Sequence, residues 1–115
     1  MFNPMVEQIA PLDQTLGALA DPTRRALLGA LRRGPATISE LAEPFDVSFA
    51  AISKHVGVLE RAGLLRREVR GRAHWCHLEA SPLREVAAWT GETIQFWEDR
   101  LDALERFVEA ERGAE

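Results

Sequence analysis

Apolar residues recur along this chain at steps of three and four as far as residue 59, give way to two short strand-like runs, and then resume the helical step. Leu12, Leu16, Leu19 and Ala20 predict a first helix over about residues 11–20, with Pro11 accommodated near its start. Asp21-Pro22 restarts the chain, because Asp caps a helix and Pro suits its first position. Ala26, Leu27, Ala30 and Leu31 predict the apolar face of a second helix that stops at Gly34-Pro35. Thr37-Ile38-Ser39-Glu40 has the form of a capping box, and the helix it opens turns Ile38, Leu41 and Ala42 inward. Pro44 keeps that helix to about two turns. After the link Phe45-Asp46-Val47, Ser48 caps a fourth helix with Ile52, Val56 and Leu59 inside, and Gly63 provides its left-handed stop.

Beyond Gly63 the period changes. LLRREVR (residues 64–70) and AHWCHL (residues 73–78) are strand-length runs with Gly71 in the link, which predicts a two-stranded hairpin. Ser81-Pro82 then opens a last helix over about residues 82–110. Along it Leu83, Ala87, Thr90, Ile94, Trp97, Leu101, Leu104 and Val108 alternate steps of four and three, a seam with the period of a coiled coil. Trp89, Phe96 and Phe107 widen that seam. A helix of about 28 residues runs roughly 42 Å, longer than a domain of this size covers by itself. The simplest partner is a second copy of the chain. The expected fold is therefore mainly α with a small two-stranded β-wing. It forms a single winged helix-turn-helix domain over residues 1–115 that pairs through its long last helix. The helix-turn-helix lies at about 37–62, the wing at about 64–78, and the pairing helix at about 82–110. Trp89, Ile94, Trp97, Leu101 and Leu104 are its expected dimerisation residues.

Composition narrows the setting. With 115 residues there is room for one modest core, and a 46% hydrophobic content argues against disorder. The single cysteine excludes a disulfide framework or a multi-thiolate zinc site within one chain and fits a reducing compartment. No apolar run approaches membrane-spanning length, and MFNPMVEQIAPLDQ lacks the basic-then-hydrophobic order of a secretory leader, so a cytoplasmic protein without a membrane partner is expected. The net charge of −4 conceals an asymmetry: residues 21–78 hold ten Lys/Arg against six Asp/Glu, and residues 79–115 hold four Arg against ten acids. Charges separated by much more than ~8 Å are screened at physiological salt, so an acidic last helix does not cancel a basic patch elsewhere.

The basic middle coincides with the helix-turn-helix. With Ile52, Val56 and Leu59 inside, Phe49, Ala50, Ser53, Lys54, Gly57 and Arg61 point outward, as a helix entering the major groove requires. Ser53 and Lys54 suit base edges or phosphates, Phe49 and Ala50 suit a thymine methyl, and Gly57 leaves room for close approach. Ser48 and His55 join this set at the start and edge of the helix. The hairpin carries Arg66, Arg67, Arg70 and Arg72 against one acid, Glu68, and its Arg70-Gly71-Arg72 tip suits phosphates or a narrow minor groove. The expected partner is double-stranded DNA, held by Ser48, Phe49, Ala50, Ser53, Lys54, His55, Arg61, Arg70 and Arg72.

LGALADPTRRALLGALRRGPATISELAEPFDVSFAAISKHVGVLERAGLL followed by RREVRGRAHWCHL resembles the ArsR/SmtB family of bacterial winged-helix repressors over roughly residues 16–78. The DPTRR opening the second helix, the Ser53-Lys54-His55-Val56 run and the ERAGLL after it carry the likeness. The resemblance implies a homodimer, dimerised through its N- and C-terminal helices (about 11–20, which adds Leu12 and Leu16 to the dimerisation residues, and about 82–110), that binds a near-palindromic operator and represses transcription. The family's thiolate metal site uses a cysteine in the stretch that here reads SELAEPF, and its other site uses Asp and His ligands on a last helix that here has no His. No metal and no cofactor are expected. His74 and Cys76 share a strand face, but two ligands do not close a tetrahedral site. What relieves repression, a small molecule or a protein, is left open by the residues.

Catalysis lacks its parts: there is no phosphate-cradling glycine loop, nucleophile elbow or His pair at helical spacing. The rival reading is a winged helix used only as a protein-protein dimerisation or adaptor module. It requires an apolar or acidic outward face on the fourth helix, whereas residues 50–78 hold six Lys/Arg against two Glu.

Overall fold

The computed structural model describes residues 4–113, with side chains from residue 11 onward. Their order is α1 (Pro4–Leu19), α2 (Pro22–Leu31), β1 (Ala36–Thr37), α3 (Ile38–Ala42), α4 (Phe49–Arg61), β2 (Leu65–Arg70), β3 (Ala73–Leu78) and α5 (Ser81–Gly113). They divide into two units, one ending at Glu85 and one formed by α5 from Val86 onward.

Local chemistry sets most helix boundaries in the first unit. Asp21 is extended and accepts hydrogen bonds from the Thr23 and Arg24 amides, so α2 begins at Pro22. Its end tapers, with the amides of Arg32, Arg33 and Gly34 reaching carbonyls three residues back. Thr37 Oγ1 accepts from the Glu40 amide and Ser48 Oγ from the Ala51 amide, which start α3 and α4. Gly63, at φ +76°, takes the left-handed conformation that releases the chain from α4 toward β2. Gly71, at φ +61°, opens the two-residue turn between the paired residues Arg70 and Ala73. A glycine in that first turn position, with no other residue at positive φ, matches a type II′ hairpin.

Three expectations are corrected. The first helix begins at Pro4 rather than near residue 11, and Pro11 sits inside it. Thr15, buried among apolar neighbours, donates to the Pro11 carbonyl at 3.0 Å and so loses no hydrogen bond on burial. The sheet has three strands, not two: the two residues of β1 pair antiparallel with β3, placing Ala36 opposite Cys76 and Thr37 opposite Trp75. Two residues have no period to detect. On α2 the buried face is Leu27, Leu28 and Leu31, with Ala26 and Ala30 exposed. Turning Leu28 inward removes more apolar surface from water than turning either alanine would.

The core of this unit gathers Leu27 and Leu31 of α2, Ile38 and Leu41 of α3, Ile52, Val56 and Leu59 of α4, and Leu64, Leu65 and Cys76 at the sheet. Ala18 of α1 joins them, Leu19 is half-buried, and Leu16 is exposed. β3 is the central strand, between β1 and β2. Its Cys76 is fully buried, and that burial pushes the thiol above its ordinary range against the pull of the Arg67 charge.

The second unit is helix alone. Among its described residues none is buried. Trp89, Ile94, Phe96, Trp97, Leu101, Leu104 and Phe107 are each between 48% and 62% exposed. Phe96 and Trp97 meet edge to face at 5.8 Å, and the Arg100 guanidinium stands 5.5 Å from the Phe96 ring centroid. No described helix is long and apolar enough to cross a membrane.

Candidate nucleic-acid interface

The α4 helix is held by its inner row, Ile52, Val56 and Leu59, each with no solvent exposure. A 3.6-residue repeat then places Phe49, Ala50, Ser53, Lys54, Gly57 and Arg61 on the opposite side, where they line one continuous shallow groove. Every residue expected on the outward face is in it. Phe49 is 56% exposed at the helix start. The Arg61 guanidinium folds back along the helix, within 3.4 Å of where a Cβ on Gly57 would stand. Gly57 thus makes room for the protein's own cation as well as for an approaching ligand.

Ser48 and His55 have other partners. The Ser48 hydroxyl accepts from the Ala51 amide and so works as the helix cap. His55 lies outside the groove, against the start of α2. Its Nδ1 is 3.3 Å from Arg24 Nη1 and 4.0 Å from Asp21 Oδ2.

A second groove, of about 290 Å³, runs from the start of α3 to the wing turn. Thr37, Ser39, Phe49, Arg72 and His74 line it, so Phe49 stands on the ridge between both grooves. Thr37, Ser39 and His74 were not singled out for this surface from the sequence. The hairpin register contains the signal: with Val69 opposite His74 and the turn at Gly71-Arg72, residues 72–74 form the wing tip.

The wing arginines differ in what they touch. Arg70 Nε donates to Glu68 Oε1 at 2.6 Å, and its guanidinium stands 5.6 Å from the Trp75 ring centroid. Arg66 lies 3.3 Å from Glu79 and 3.9 Å from Glu68. Arg67 turns to the other face, where it reaches Glu60 of α4 at 3.3 Å and His74 Nδ1 at 3.3 Å. Among the described residues, Arg72, Arg61 and Lys54 make no ion pair with a carboxylate. Among the lysine and arginine side chains of α4 and the wing, the ones without an acidic partner are therefore those that border the two grooves. Polyanion binding needs this, since a guanidinium already neutralised by a carboxylate gives less to a phosphate.

No three His, Cys, Asp or Glu side chains among the described residues gather in a way that could hold a metal ion. Buried Cys76 and exposed His74 share one strand face two residues apart, but the Cys76 thiol points into the core.

A short helix, a turn, a second helix with a free outer face and a three-stranded sheet ending in an arginine-bearing hairpin define a winged helix-turn-helix protein. A helix-turn-helix domain family matches residues 19–68. The HTH-type transcriptional regulator Rv2034 of Mycobacterium tuberculosis is 33% identical over 99 residues, which are 86% of this chain and 90% of that protein. The transcriptional repressor SdpR of Bacillus subtilis is 30% identical over 78 residues, covering 68% of this chain and 87% of the repressor. Among solved structures, an ArsR family transcriptional regulator superposes with a TM-score of 0.74 at 48% identity, over 76% of this chain and 97% of that one. An ArsR-like regulator from Rhodococcus sp. RHA1 gives 0.75 at 30% identity, over 88% and 95%. The chain belongs to the ArsR/SmtB family of winged helix-turn-helix transcriptional regulators, and it is a DNA-binding regulator of transcription.

Proposed function

We propose that the protein is a homodimeric repressor that binds an inverted-repeat operator and excludes polymerase from the promoter beneath it. The observation that carries this reading is the coincidence on one surface of an exposed polar helix face and the three cations of α4 and the wing, Lys54, Arg61 and Arg72, that have no carboxylate partner. Ser53, Lys54 and Phe49 read base edges from the major groove, with Ala50 beside them. Arg61 and Arg72 hold phosphates, and Arg72 reaches the flanking minor groove from the wing tip. Arg70 contributes less directly, because Glu68 already holds it, and His55, turned to Arg24 outside the groove, makes no DNA contact in this reading. Ser48 sets the angle at which the helix starts.

Pairing is supported by the apolar length of α5. Its row of half-exposed Trp, Ile, Phe and Leu side chains is larger than a monomer in water leaves uncovered, and the heptad-like step suits a second copy of the same helix. On α1, Leu16 is exposed and Leu12 half-buried, and both are assigned to pairing in this reading. Two recognition helices related by a two-fold axis then meet half-sites about one DNA turn apart, roughly 34–36 Å. In this reading the whole chain is one DNA-binding domain with pairing helices. It works in the cytoplasm, catalyses no reaction, and takes no metal through the family's cysteine or histidine ligands, which its sequence lacks at those places.

The test is a footprint of the purified protein on the region upstream of its own gene, repeated as salt is raised. A protected inverted repeat whose affinity falls steeply with salt is the expected result. Binding that ignores salt, or no protection on any duplex, overturns the reading in favour of a protein-protein adaptor.

A further inference from the structure

Of the four arginines on and just after α2, Arg24 and Arg25 are committed to the C-terminus of α1. Arg24 Nε donates to the Ala18 carbonyl at 2.7 Å and Arg24 Nη2 to the Gly17 carbonyl at 3.0 Å. Arg25 Nη1 donates to the Leu19 carbonyl at 2.7 Å. A helix end leaves its last carbonyls unpaired and partially negative, so three consecutive carbonyls receiving guanidinium donors is a strong cap. Arg24 goes further. Its Nη1 faces His55 Nδ1 of α4 at 3.3 Å, while its own backbone amide is held by Asp21. One planar guanidinium, with its donors in a fixed fork, thus touches α1 and α4 from a root in α2.

We infer that Arg24 is a positioning residue that fixes the recognition helix α4 relative to α1, and through it the separation of the two recognition helices in the paired protein. The inference rests on the proposed reading of α4 as the base-reading helix and α1 as part of the pairing surface. Arg24 touches no DNA in this scheme. Its three donors leave it little freedom to change geometry, so α1 and α4 move as one body. Loss of either the donor at Arg24 or the acceptor at His55 uncouples them while leaving the DNA-facing groups of α4 in place. A single half-site cannot sense that change, and a pair of half-sites at fixed spacing can.

The experiment uses duplexes carrying the operator that the wild-type protein selects from random-sequence DNA, together with the same operator cut to one half-site. R24Q and H55L are each expected to bind the full operator about ten-fold more weakly while half-site binding stays within about two-fold of wild type. The R24Q/H55L double variant is expected to be no weaker than R24Q, because both remove the same link. H55N keeps an acceptor near the place of Nδ1 and is expected to retain wild-type full-site affinity. Should R24Q fold poorly, R24K keeps a cation at the end of α1 but offers one ammonium in place of a fork, and it is expected to show the same selective loss. Equal losses on half and full sites, losses that multiply in the double variant, or unchanged full-site binding would each overturn the inference. A wild-type protein that selects no DNA at all would overturn the reading on which it rests, which is a different result from wild-type binding with R24Q unaffected.

Discussion

Glu68 accepts a hydrogen bond from Arg70 Nε at 2.6 Å, two residues along the same strand. The same carboxylate lies 3.1 Å from His77 Nε2 and 3.9 Å from Arg66 Nη1, so one acid serves three cationic or potentially cationic side chains on one face of the wing. The wing carries less free positive charge than its four arginines suggest, and Glu68 is one of the acids that sets how much less, with Glu60 and Glu79.

Replacing Glu68 by Gln removes that compensation. At neutral pH the E68Q protein should bind DNA of any sequence more tightly and with a steeper salt dependence, by about one unit of slope for each arginine that gains a phosphate. The Arg70 hydrogen bond, against some desolvation and with the charges of Arg70 and His77 adding to it, holds the Glu68 carboxyl below its ordinary value of 4.5. A carboxyl lowered in the folded state stabilises the protein above its unfolded value and loses that contribution as pH falls through the folded one. Acid denaturation below pH 4.5 should therefore be shallower in E68Q than in wild type, and identical curves would remove Glu68 from the wing's charge balance.

Asp21 makes the start of α2. Burial works against its ionised form, but hydrogen bonds from the Arg24 and Thr23 amides and the charges of His55 and Arg24 outweigh that, and its carboxyl ends below the ordinary value. D21A should unfold at a lower denaturant concentration than wild type, and D21N, which still caps, should show only a fraction of that shift. Equal costs for both would mean that the charge, rather than the cap, matters at this position.

Much of this was legible in the chain because caps and stops are local chemistry. Asp21, Thr37, Ser48 and Gly63 each act within a few residues of their own position, and each sits where its residue type placed it. The outward face of α4 was legible for a related reason, since Ile52, Val56 and Leu59 fix the inner row and leave the others outside. Relations across the chain were not. His55 falls near the outward face on a helical projection, and only the tertiary fold brings Arg24 to it from 31 residues away. Arg24 and Arg25 read as solvated charges until the end of α1 is placed beside them. Likewise, the sequence shows four wing arginines and one wing acid, while Glu60 and Glu79 enter the count from α4 and from just beyond β3.

In the proposed reading Lys54 and Ser53 on α4 read bases, while Arg72 at the wing tip holds phosphate. K54A and S53A should each cost about 1–3 kcal/mol per half-site on the selected operator, with much smaller losses on unrelated DNA, and relax the preference at one base position. R72A should weaken binding to all sequences alike and reduce the salt slope by about one for each phosphate it holds. Fluorescence anisotropy on operator and scrambled duplexes, at several salt concentrations, distinguishes these patterns. An R72A protein with an unchanged slope would place the wing tip off the DNA.

The proposed pairing through α5 makes the strongest demand on a single element. Trp97 and Leu101 lie four residues apart, are 58% and 62% exposed in the isolated chain, and occupy successive positions of the heptad-like row. Two glutamates there would have to be taken out of water in a paired helix, at a cost of several kcal/mol each unless compensated, whereas on a free helix they would remain hydrated. The W97E/L101E protein should therefore sediment as a monomer at concentrations where wild type sediments as a dimer. The unit ending at Glu85 has its own core and should stay folded, since neither residue belongs to it. Operator affinity should fall to that of wild type for a single half-site, because each monomer keeps its recognition helix but loses the second contact. A double variant that remains dimeric with full operator affinity would show that α5 is not the pairing surface.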